Sequence, residues 1–294
     1  MRTRIASKTR EVVISPENPF VVIGERINPT RRKKLMETMA AGDFSVALED
    51  ARAQVAAGAQ VLDLNAGIPD ADEPAILADL VRAVMEAVDV PLCFDSANVD
   101  ALAAALAVYP GKALINSTTA EEHMLAAVLP LVAKHGAAVI GVITDDGGVP
   151  VTPEERLAAA RKLVGRAADY GIPAEDVIID ALSIAVSADP NAGRITLDTL
   201  RLIEQDLGVN LSLGASNVSF GLPERRPINA TYLALCIARG LTTAITDPTV
   251  PEISTTLRAS DLLMGHDPYA RRWLKAYRAA KAGPTAARIT LAKD

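Results

Sequence analysis

QVLDLN at residues 60–65 and VPLCFD at residues 90–95 are short apolar segments that each end in a polar side chain. Between them, residues 74–87 carry apolar side chains three and four positions apart, which is the spacing of an amphipathic helix. Parallel strands that are buried on both faces form short continuous apolar runs, and helices connect them. This stretch therefore predicts a strand–helix–strand unit of a parallel sheet.

The same alternation recurs along the chain. Eight apolar runs begin at residues 20, 60, 90, 112, 137, 176, 209 and 243, and the helical segments are 43–57, 74–87, 98–107, 122–135, 152–170, 196–206, 227–239 and 252–264. Eight such repeats in 294 residues predict an α/β fold, a single-domain (β/α)8 TIM barrel. A doubly wound sheet is the alternative, but it rarely needs eight regular repeats.

The barrel is expected to span residues 20–265, with a short segment at each end. Residues 1–19 are expected to form an N-terminal extension that covers the barrel floor. Residues 266–294 are expected to form an extra C-terminal helix and tail. Tyr269, Trp273 and Tyr277 lie four residues apart there, so we expect one aromatic face that packs on the barrel or on a second subunit.

The composition argues against several classes of function. The net charge is −6 and no face is dense in Lys and Arg, so nucleic acid is not an expected partner. No apolar run approaches the length of a membrane helix, so no membrane partner is expected. Cys93 and Cys236 lie in apolar surroundings without metal-ligand spacing. We therefore expect free thiols, no bound metal and a cytoplasmic protein.

Polar side chains occur where the predicted strands end. The carboxyl ends of barrel strands meet at one face, so these side chains are expected to surround one site. They are Glu25, Asn28, Asp63, Asn65, Asp95, Asn116, Asp145, Asp180, Ser216, Asn217 and Asp247. Each alone can be explained as the N-cap of a following helix, but the set as a whole is poorly explained that way.

The chemistry of this set indicates a heterocyclic ligand. No His or Lys ends a predicted strand, which argues against general-base or Schiff-base chemistry. A carboxylate can accept two hydrogen bonds from a ring edge that carries an N–H beside an amino group, and an amide can both donate and accept. A pterin has these groups.

Seven motifs then resemble a known family. The motifs are GERINPT (24–30), DLNAG (63–67), CFDSAN (93–98), INSTTAE (115–121), IIDAL (178–182), GASNVSFG (214–221) and RPINATYL (226–233). In this order they resemble the methyltetrahydrofolate:corrinoid methyltransferases, over about residues 20–265. That family belongs to the pterin-binding barrel superfamily, with the folate domain of cobalamin-dependent methionine synthase and, more remotely, dihydropteroate synthase.

The resemblance implies roles for the matching positions. Asp95, Asn116 and Asp180 would hold the pterin ring. Asn217 would be the catalytic residue, because it would reach the N5 nitrogen that carries the methyl group. The remaining implied site residues are Glu25 and Asn28, which would line the rim, and Gly214 and Ser216, which would shape the approach of Asn217.

The resemblance also implies an activity and partners. A methyl group would move between N5 of tetrahydrofolate and the cobalt of a corrinoid. No Asp-x-His-x-x-Gly segment is present, so the corrinoid is expected on a separate small corrinoid protein. Family members are typically homodimers. SNVSFGLPERR (216–226) resembles members that methylate tetrahydrofolate from a methylcorrinoid protein, as in demethylation of methylated amines or methoxyl compounds.

Other functions stay open at this point. A dihydropteroate synthase-like enzyme would need a late lysine and a Ser-x-Arg near the eighth strand, where this chain has Thr246, Asp247 and Pro248. A non-catalytic pterin-binding or corrinoid-docking subunit is a further alternative, although an intact Asn217 argues against it. The last alternative is a barrel enzyme that acts on an unrelated substrate.

Overall fold

The described part of the chain contains ten strands and ten helices. The computed structural model describes residues 1–290, and side chains through residue 279 together with residue 281. The strands are β1 (Thr3–Ala6), β2 (Glu11–Ile14), β3 (Val21–Ile27), β4 (Val61–Asn65), β5 (Leu92–Asp95), β6 (Leu114–Thr119), β7 (Ala138–Val142), β8 (Val177–Asp180), β9 (Asn210–Ser212) and β10 (Thr243–Thr246). The helices are α1 (Lys33–Ala40), α2 (Ser45–Ala57), α3 (Glu73–Ala87), α4 (Val99–Val108), α5 (Glu122–His135), α6 (Pro153–Asp169), α7 (Ala192–Leu207), α8 (Arg225–Ile237), α9 (Pro251–Leu263) and α10 (Arg271–Thr290).

The eight strands β3 to β10 form one parallel sheet that closes on itself. Hydrogen-bonded neighbours run in the order β10, β3, β4, β5, β6, β7, β8, β9. The ring closes where Gly214 pairs with Ile245 in parallel, and the amide of Ile245 donates to the carbonyl of Leu213 at 2.9 Å. The predicted (β/α)8 barrel is therefore confirmed. A helix follows each of the eight barrel strands, and two helices, α1 and α2, follow β3.

Local sequence signals explain where several helices begin and end. The Thr152 hydroxyl accepts from the amide of Glu155, whose carboxylate in turn accepts from the amide of Thr152, so a capping box starts α6. Gly58 and Gly136 adopt the left-handed conformation that ends α2 and α5. In the part of the chain that the structure describes, no helix is long and apolar enough to cross a membrane.

The barrel interior has an apolar lower layer and a polar upper layer. Because side chains alternate along a strand, every second residue points inward. The buried interior cluster contains Val21, Ile23, Val61, Cys93, Leu114, Ala138, Ile140 and Ile178. Two residues further along β3, β4, β5 and β6 lie Glu25, Asp63, Asp95 and Asn116. The fold therefore places these polar side chains together above an apolar plug.

The N-terminal hairpin forms the floor of the barrel. β1 and β2 pair antiparallel, and Ile5, Val12 and Ile14 belong to the same buried cluster as the lower interior layer. The side chain of Asn210 at the start of β9 donates to the Thr3 hydroxyl at 2.8 Å and to the Ile14 carbonyl at 2.9 Å. The hairpin therefore seals the amino-terminal end of the barrel.

The C-terminal helix lies within the predicted segment, but the three aromatic side chains do not all lie on it. α10 covers Arg271–Thr290, and residues 291–294 of the predicted segment lie outside the described residues. Tyr269 precedes the helix with a φ of 59° and is 87% exposed, and Tyr277 is 53% exposed. The prediction of a single aromatic face is wrong, because Tyr269 precedes the helix and leaves the helical geometry. Packing of these side chains on a second subunit stays a prediction.

Candidate functional site

A cavity of about 450 Å³ opens at the carboxyl-terminal mouth of the barrel. It is lined by Glu25, Arg26, Asn28, Thr30, Arg32, Asp63, Asp95, Asn116, Gly214, Asn217, Ile245 and Asp247. The structure thus brings together six of the eight predicted site residues. Two other cavities, of about 450 and 550 Å³, lie elsewhere, and none of the strand-end carboxylates of the barrel interior lines them.

The cavity floor is a network of two carboxylates and two amides. Asn116 Nδ2 donates to Asp63 Oδ1 at 3.2 Å, and Asn65 Nδ2 donates to Asp95 Oδ2 at 3.0 Å. The strand register produces this arrangement, since β5 places Asp95 beside both Asn65 and Asn116. Each carboxylate keeps acceptor capacity for a ligand, because only one cavity amide bonds to it.

Burial makes the floor carboxylates difficult to ionise. Burial raises the pKa of Asp63 well above its ordinary value, and the neighbouring Asp95 carboxylate raises it further. Burial also raises the pKa of Asp95, and the bond from Asn65 opposes this effect. Two adjacent acids with raised pKa values are well suited to a ligand that donates hydrogen bonds, because such a ligand stabilises their charge.

Glu25 lies between the main cavity and a smaller one of about 200 Å³. Ser216 Oγ donates to Glu25 Oε1 at 3.0 Å, and Ser216 lines the smaller cavity. Burial raises the pKa of Glu25 to about 7, although the bond from Ser216 lowers it, and repulsion from Asp247 adds to the rise. Glu25 can therefore exchange a proton near neutral pH.

The raised pKa of Glu25 predicts a pH-dependent stability. Between its ordinary pKa of 4.5 and about 7, the folded protein binds more protons than the unfolded chain, so stability falls as pH rises through this window. Glu25→Gln removes this effect. We expect the variant to gain roughly 1–3 kcal/mol relative to the wild type between about pH 5 and about pH 8. Denaturant unfolding at several pH values measures the difference.

An exposed glutamate supplies the control for this experiment. Glu86 lies on the exposed face of α3, so Glu86→Gln changes charge in the same way outside the site. Its stability relative to the wild type is expected to stay nearly constant with pH. A Glu25→Gln difference that is equally flat would show that Glu25 is ionised without penalty.

Asp180 is buried behind the cavity rather than lining it. Its carboxylate accepts from the amide of Leu182 at 2.8 Å and from the backbone of Gly214. Burial raises its pKa to about 6, and these backbone bonds and the Arg156 charge oppose the rise. Asp180 thus connects the loops after β8 and β9. In this structure it supports the segment that carries Asn217.

Asn217 projects from a short 3₁₀ turn, Ala215–Ser219, that follows β9. The residue is exposed at the cavity, and its backbone amide donates to the Gly214 carbonyl at 3.2 Å. A Cβ atom on Gly214 would lie 3.0 Å from Asn217 Nδ2. Gly214 therefore leaves the space in which the Asn217 amide lies.

A charged wall completes the side of the cavity next to β10. Arg26 donates to Asp50 Oδ1 at 2.9 Å and to Asp247 Oδ2 at 3.0 Å. Arg32 donates to Asp50 Oδ2 at 2.6 Å and also to the Arg26 carbonyl. These ion pairs are partly buried and link the loops after β3 and β10 to α2. These ion pairs fix the segments on the β10 side of the cavity relative to one another.

Several residues of the site have no role implied by the family resemblance. Asp63 and Asn65 belong to the floor network, and the sequence predicts them only as two of the strand-end side chains around the site. Asp63 lies two positions after the inward-facing Val61, so strand alternation was the signal that identifies it. The ion pairs of Arg26 and Arg32 join distant segments, and no local pattern indicates them.

Comparison with known proteins agrees with this geometry. The model of a family described as pterin binding enzyme matches residues 24–247. The methylcorrinoid:tetrahydrofolate methyltransferase of Eubacterium limosum is 29% identical over 277 residues, covering 92% of this chain and 100% of that protein. The methionine synthase of Mycobacterium tuberculosis is 29% identical over 254 residues, covering 82% of this chain. The chain spans only 21% of that enzyme's length.

Solved structures show the same fold at lower identity. The dihydropteroate synthase of Yersinia pestis, in a sulfonamide drug complex, superposes with a TM-score of 0.68 and 15% identity, covering 90% of this chain and 100% of that chain. The enzyme from Xanthomonas albilineans, in complex with 7,8-dihydropteroate, gives a TM-score of 0.63 and 17% identity, covering 88% and 98%. At these identities the likeness concerns the fold alone.

Proposed function

The chain belongs to the pterin-binding enzyme family, and from this premise we propose that it transfers a methyl group between N5 of tetrahydrofolate and the cobalt of a corrinoid held by a partner protein. One observation carries the proposal. A network of carboxylates and amides, in which Asp63 is buried and Asp95 is half-buried, forms the floor of one cavity, and Asn217 projects into the same cavity from its rim.

The floor matches the hydrogen-bonding edge of a pterin. A pterin presents a ring N–H beside an exocyclic amino group, and these donors suit the free acceptor positions of Asp63 and Asp95. Asn116 can both donate and accept at the same depth. The cavity volume of about 450 Å³ lies within the range of small-molecule sites. A bound pterin would replace water as the partner of the buried carboxylates.

Asn217 is the residue that we assign to the reacting nitrogen. When N5 of tetrahydrofolate gains a methyl group it loses its proton, and in the reverse direction it regains one. An amide beside N5 stabilises the changing charge by a hydrogen bond that strengthens in the transition state. Asn217 does not titrate, so the proton needs another acceptor. Glu25 lines the same cavity and can accept a proton near neutral pH.

The methyl group is exchanged with a corrinoid cobalt, which is the chemistry that the partner supplies. We propose a small corrinoid protein that docks over the barrel mouth. The name of the Eubacterium limosum relative supports the direction from methylcorrinoid to tetrahydrofolate. We propose that this enzyme takes part in the demethylation of methylated amines or methoxyl compounds.

We also propose a cytoplasmic homodimer. The buried free thiols of Cys93 and Cys236 are in keeping with a reducing compartment. An apolar groove between α7 and α8, with Leu197 and the half-exposed Leu235 in its lining, is a suitable dimer surface. Light scattering of the purified protein would return the monomer mass if no such dimer forms.

Two assays test the proposed function. Calorimetric titration is expected to give micromolar-range binding of both tetrahydrofolate and 5-methyltetrahydrofolate. With methylcobalamin as donor, tetrahydrofolate is expected to become 5-methyltetrahydrofolate, detected by chromatography. Binding without transfer, even with a corrinoid protein, would favour a non-catalytic pterin-binding subunit. If the protein binds neither folate, the proposed function is wrong.

A further inference from the structure

Phe220 is an exposed aromatic side chain beside the cavity mouth. Its side chain is 46% exposed. Its amide donates to the Asn217 carbonyl at 3.1 Å, so the residue lies directly behind the rim position of Asn217. The Ser187 hydroxyl donates to the Phe220 carbonyl at 2.7 Å and fixes this backbone. The ring is therefore held at the mouth.

Two arginines lie over this ring, one from the loop after β3 and one from the start of α8. The guanidinium carbon of Arg31 lies 4.9 Å from the Phe220 ring centroid, and that of Arg225 lies 5.8 Å from it. Arg31 follows β3 between Thr30 and Arg32, which both line the cavity. We call Phe220, Arg31 and Arg225 the rim cluster. It bridges the loops after β3 and β9, on one side of the cavity opening.

The cations of the rim cluster have no carboxylate partners of their own. Arg225 donates to the Ser216 carbonyl at 2.6 Å and to the Ser219 hydroxyl at 2.9 Å. Among the side chains that the structure describes, no carboxylate lies within ion-pair distance of Arg31 or Arg225, whereas Arg26 and Arg32 at the same mouth are paired. The cluster thus offers a half-exposed aromatic ring and positive charge without a carboxylate partner.

We propose that the rim cluster binds the aminobenzoyl-glutamate tail of folate and makes the enzyme selective for substrates with glutamate tails. This inference rests on the proposed function, because it needs the pterin ring on the cavity floor. From a pterin ring on the cavity floor, the aminobenzoyl-glutamate tail extends toward the cavity mouth. Its benzoyl ring packs against Phe220, and its carboxylates pair with the guanidinium of Arg31. Arg225 fixes the cluster by holding the loop after β9.

The experiment compares ligands with and without the tail. The probes are tetrahydropteroyl-triglutamate, tetrahydrofolate with one glutamate, and 6-methyltetrahydropterin, which lacks the tail. Arg31→Gln is expected to weaken triglutamate binding roughly five-fold, since an exposed ion pair is lost. Phe220→Ala is expected to weaken binding of both tailed ligands roughly ten-fold, and Phe220→Tyr is expected to retain it. Calorimetry gives each dissociation constant.

A neighbouring cation provides the matched control. Lys33 lies two residues from Arg31, its side chain is 84% exposed, and its ammonium lies 3.7 Å from Glu37. Lys33→Gln removes the same charge without touching the rim cluster, so triglutamate affinity is expected to change less than two-fold. Affinity for 6-methyltetrahydropterin is expected to be unchanged in Arg31→Gln and Phe220→Ala.

The remaining outcomes would overturn the inference or the function separately. Equal losses of triglutamate affinity in Arg31→Gln and Lys33→Gln would show a general effect of charge and no specific role of Arg31. Equal losses for tailed and tail-less ligands would mean a disturbed cavity. Normal folate binding with slower transfer from a corrinoid protein would make the rim cluster a protein-docking surface. If the wild type binds none of the three probes, the proposed function itself fails.

Discussion

Asn217→Ala is expected to lower the rate of methyl transfer on the order of 10²–10³-fold while folate binding changes little. The amide projects from the rim into the cavity, so its loss leaves the floor contacts of the pterin intact. A hydrogen bond that strengthens only in the transition state contributes to the rate and not to ground-state binding. Single-turnover transfer from methylcobalamin and calorimetric titration of tetrahydrofolate measure the two quantities.

Gly214→Ala provides a second test of the same role. The added Cβ would lie 3.0 Å from Asn217 Nδ2, which is closer than side chains usually approach. We expect a smaller loss of rate than in Asn217→Ala, because the amide is displaced but still present. Turnover of Asn217→Ala at the wild-type rate would remove the role that we assign to this residue.

Asp95→Ala is expected to weaken tetrahydrofolate binding at least about 10²-fold. The carboxylate would contribute charge-assisted hydrogen bonds to the ring edge, and these are among the stronger contacts in proteins. Its removal also leaves Asn65 Nδ2 without its acceptor. Calorimetric titration gives the affinity directly. Asp100→Ala, at an exposed position in the first turn of α4, is the matched control and is expected to bind normally.

Asp95→Ala is expected to keep or gain stability. Burial and the neighbouring acid raise the pKa of Asp63, so removal of the Asp95 charge relieves repulsion in the floor. Loss of binding together with an unchanged or raised unfolding midpoint would identify a residue retained for function. Loss of binding with a strongly lowered midpoint would contradict this and indicate a structural role.

The fold could be predicted from the sequence because its signals are local and repeated. Each of the eight apolar runs lies at an observed barrel strand, and each predicted helical segment overlaps an observed helix. Helix ends followed from capping chemistry, as at Thr152 and Gly136. The basic run RRKK at residues 31–34 predicts the solvated start of a helix, and α1 begins within it at Lys33. A second helix before the next strand departs from the regular repeat.

The site could be predicted only as a set of strand ends. Sequence alone does not distinguish a carboxylate that faces the cavity from one that accepts hydrogen bonds from its own loop. Asp95 and Asp180 both end strands, yet Asp95 lines the cavity and Asp180 bonds to the amide of Leu182. The contact of Arg31 with Phe220 joins residues far apart in the chain, so only the closed barrel brings them together.

The hairpin at the barrel floor has a consequence for biosynthesis. β1 and β2 leave the ribosome before the barrel strands, but the side chain that fastens them, Asn210, is separated from Thr3 by 207 residues. Until β9 emerges, Ile5 and Ile14 lack the barrel interior that buries them in the folded protein. The hairpin is thus made before the barrel strands but reaches its final position only after β9 has formed. An emerging chain keeps an apolar hairpin exposed through most of translation, which is a state that chaperones recognise.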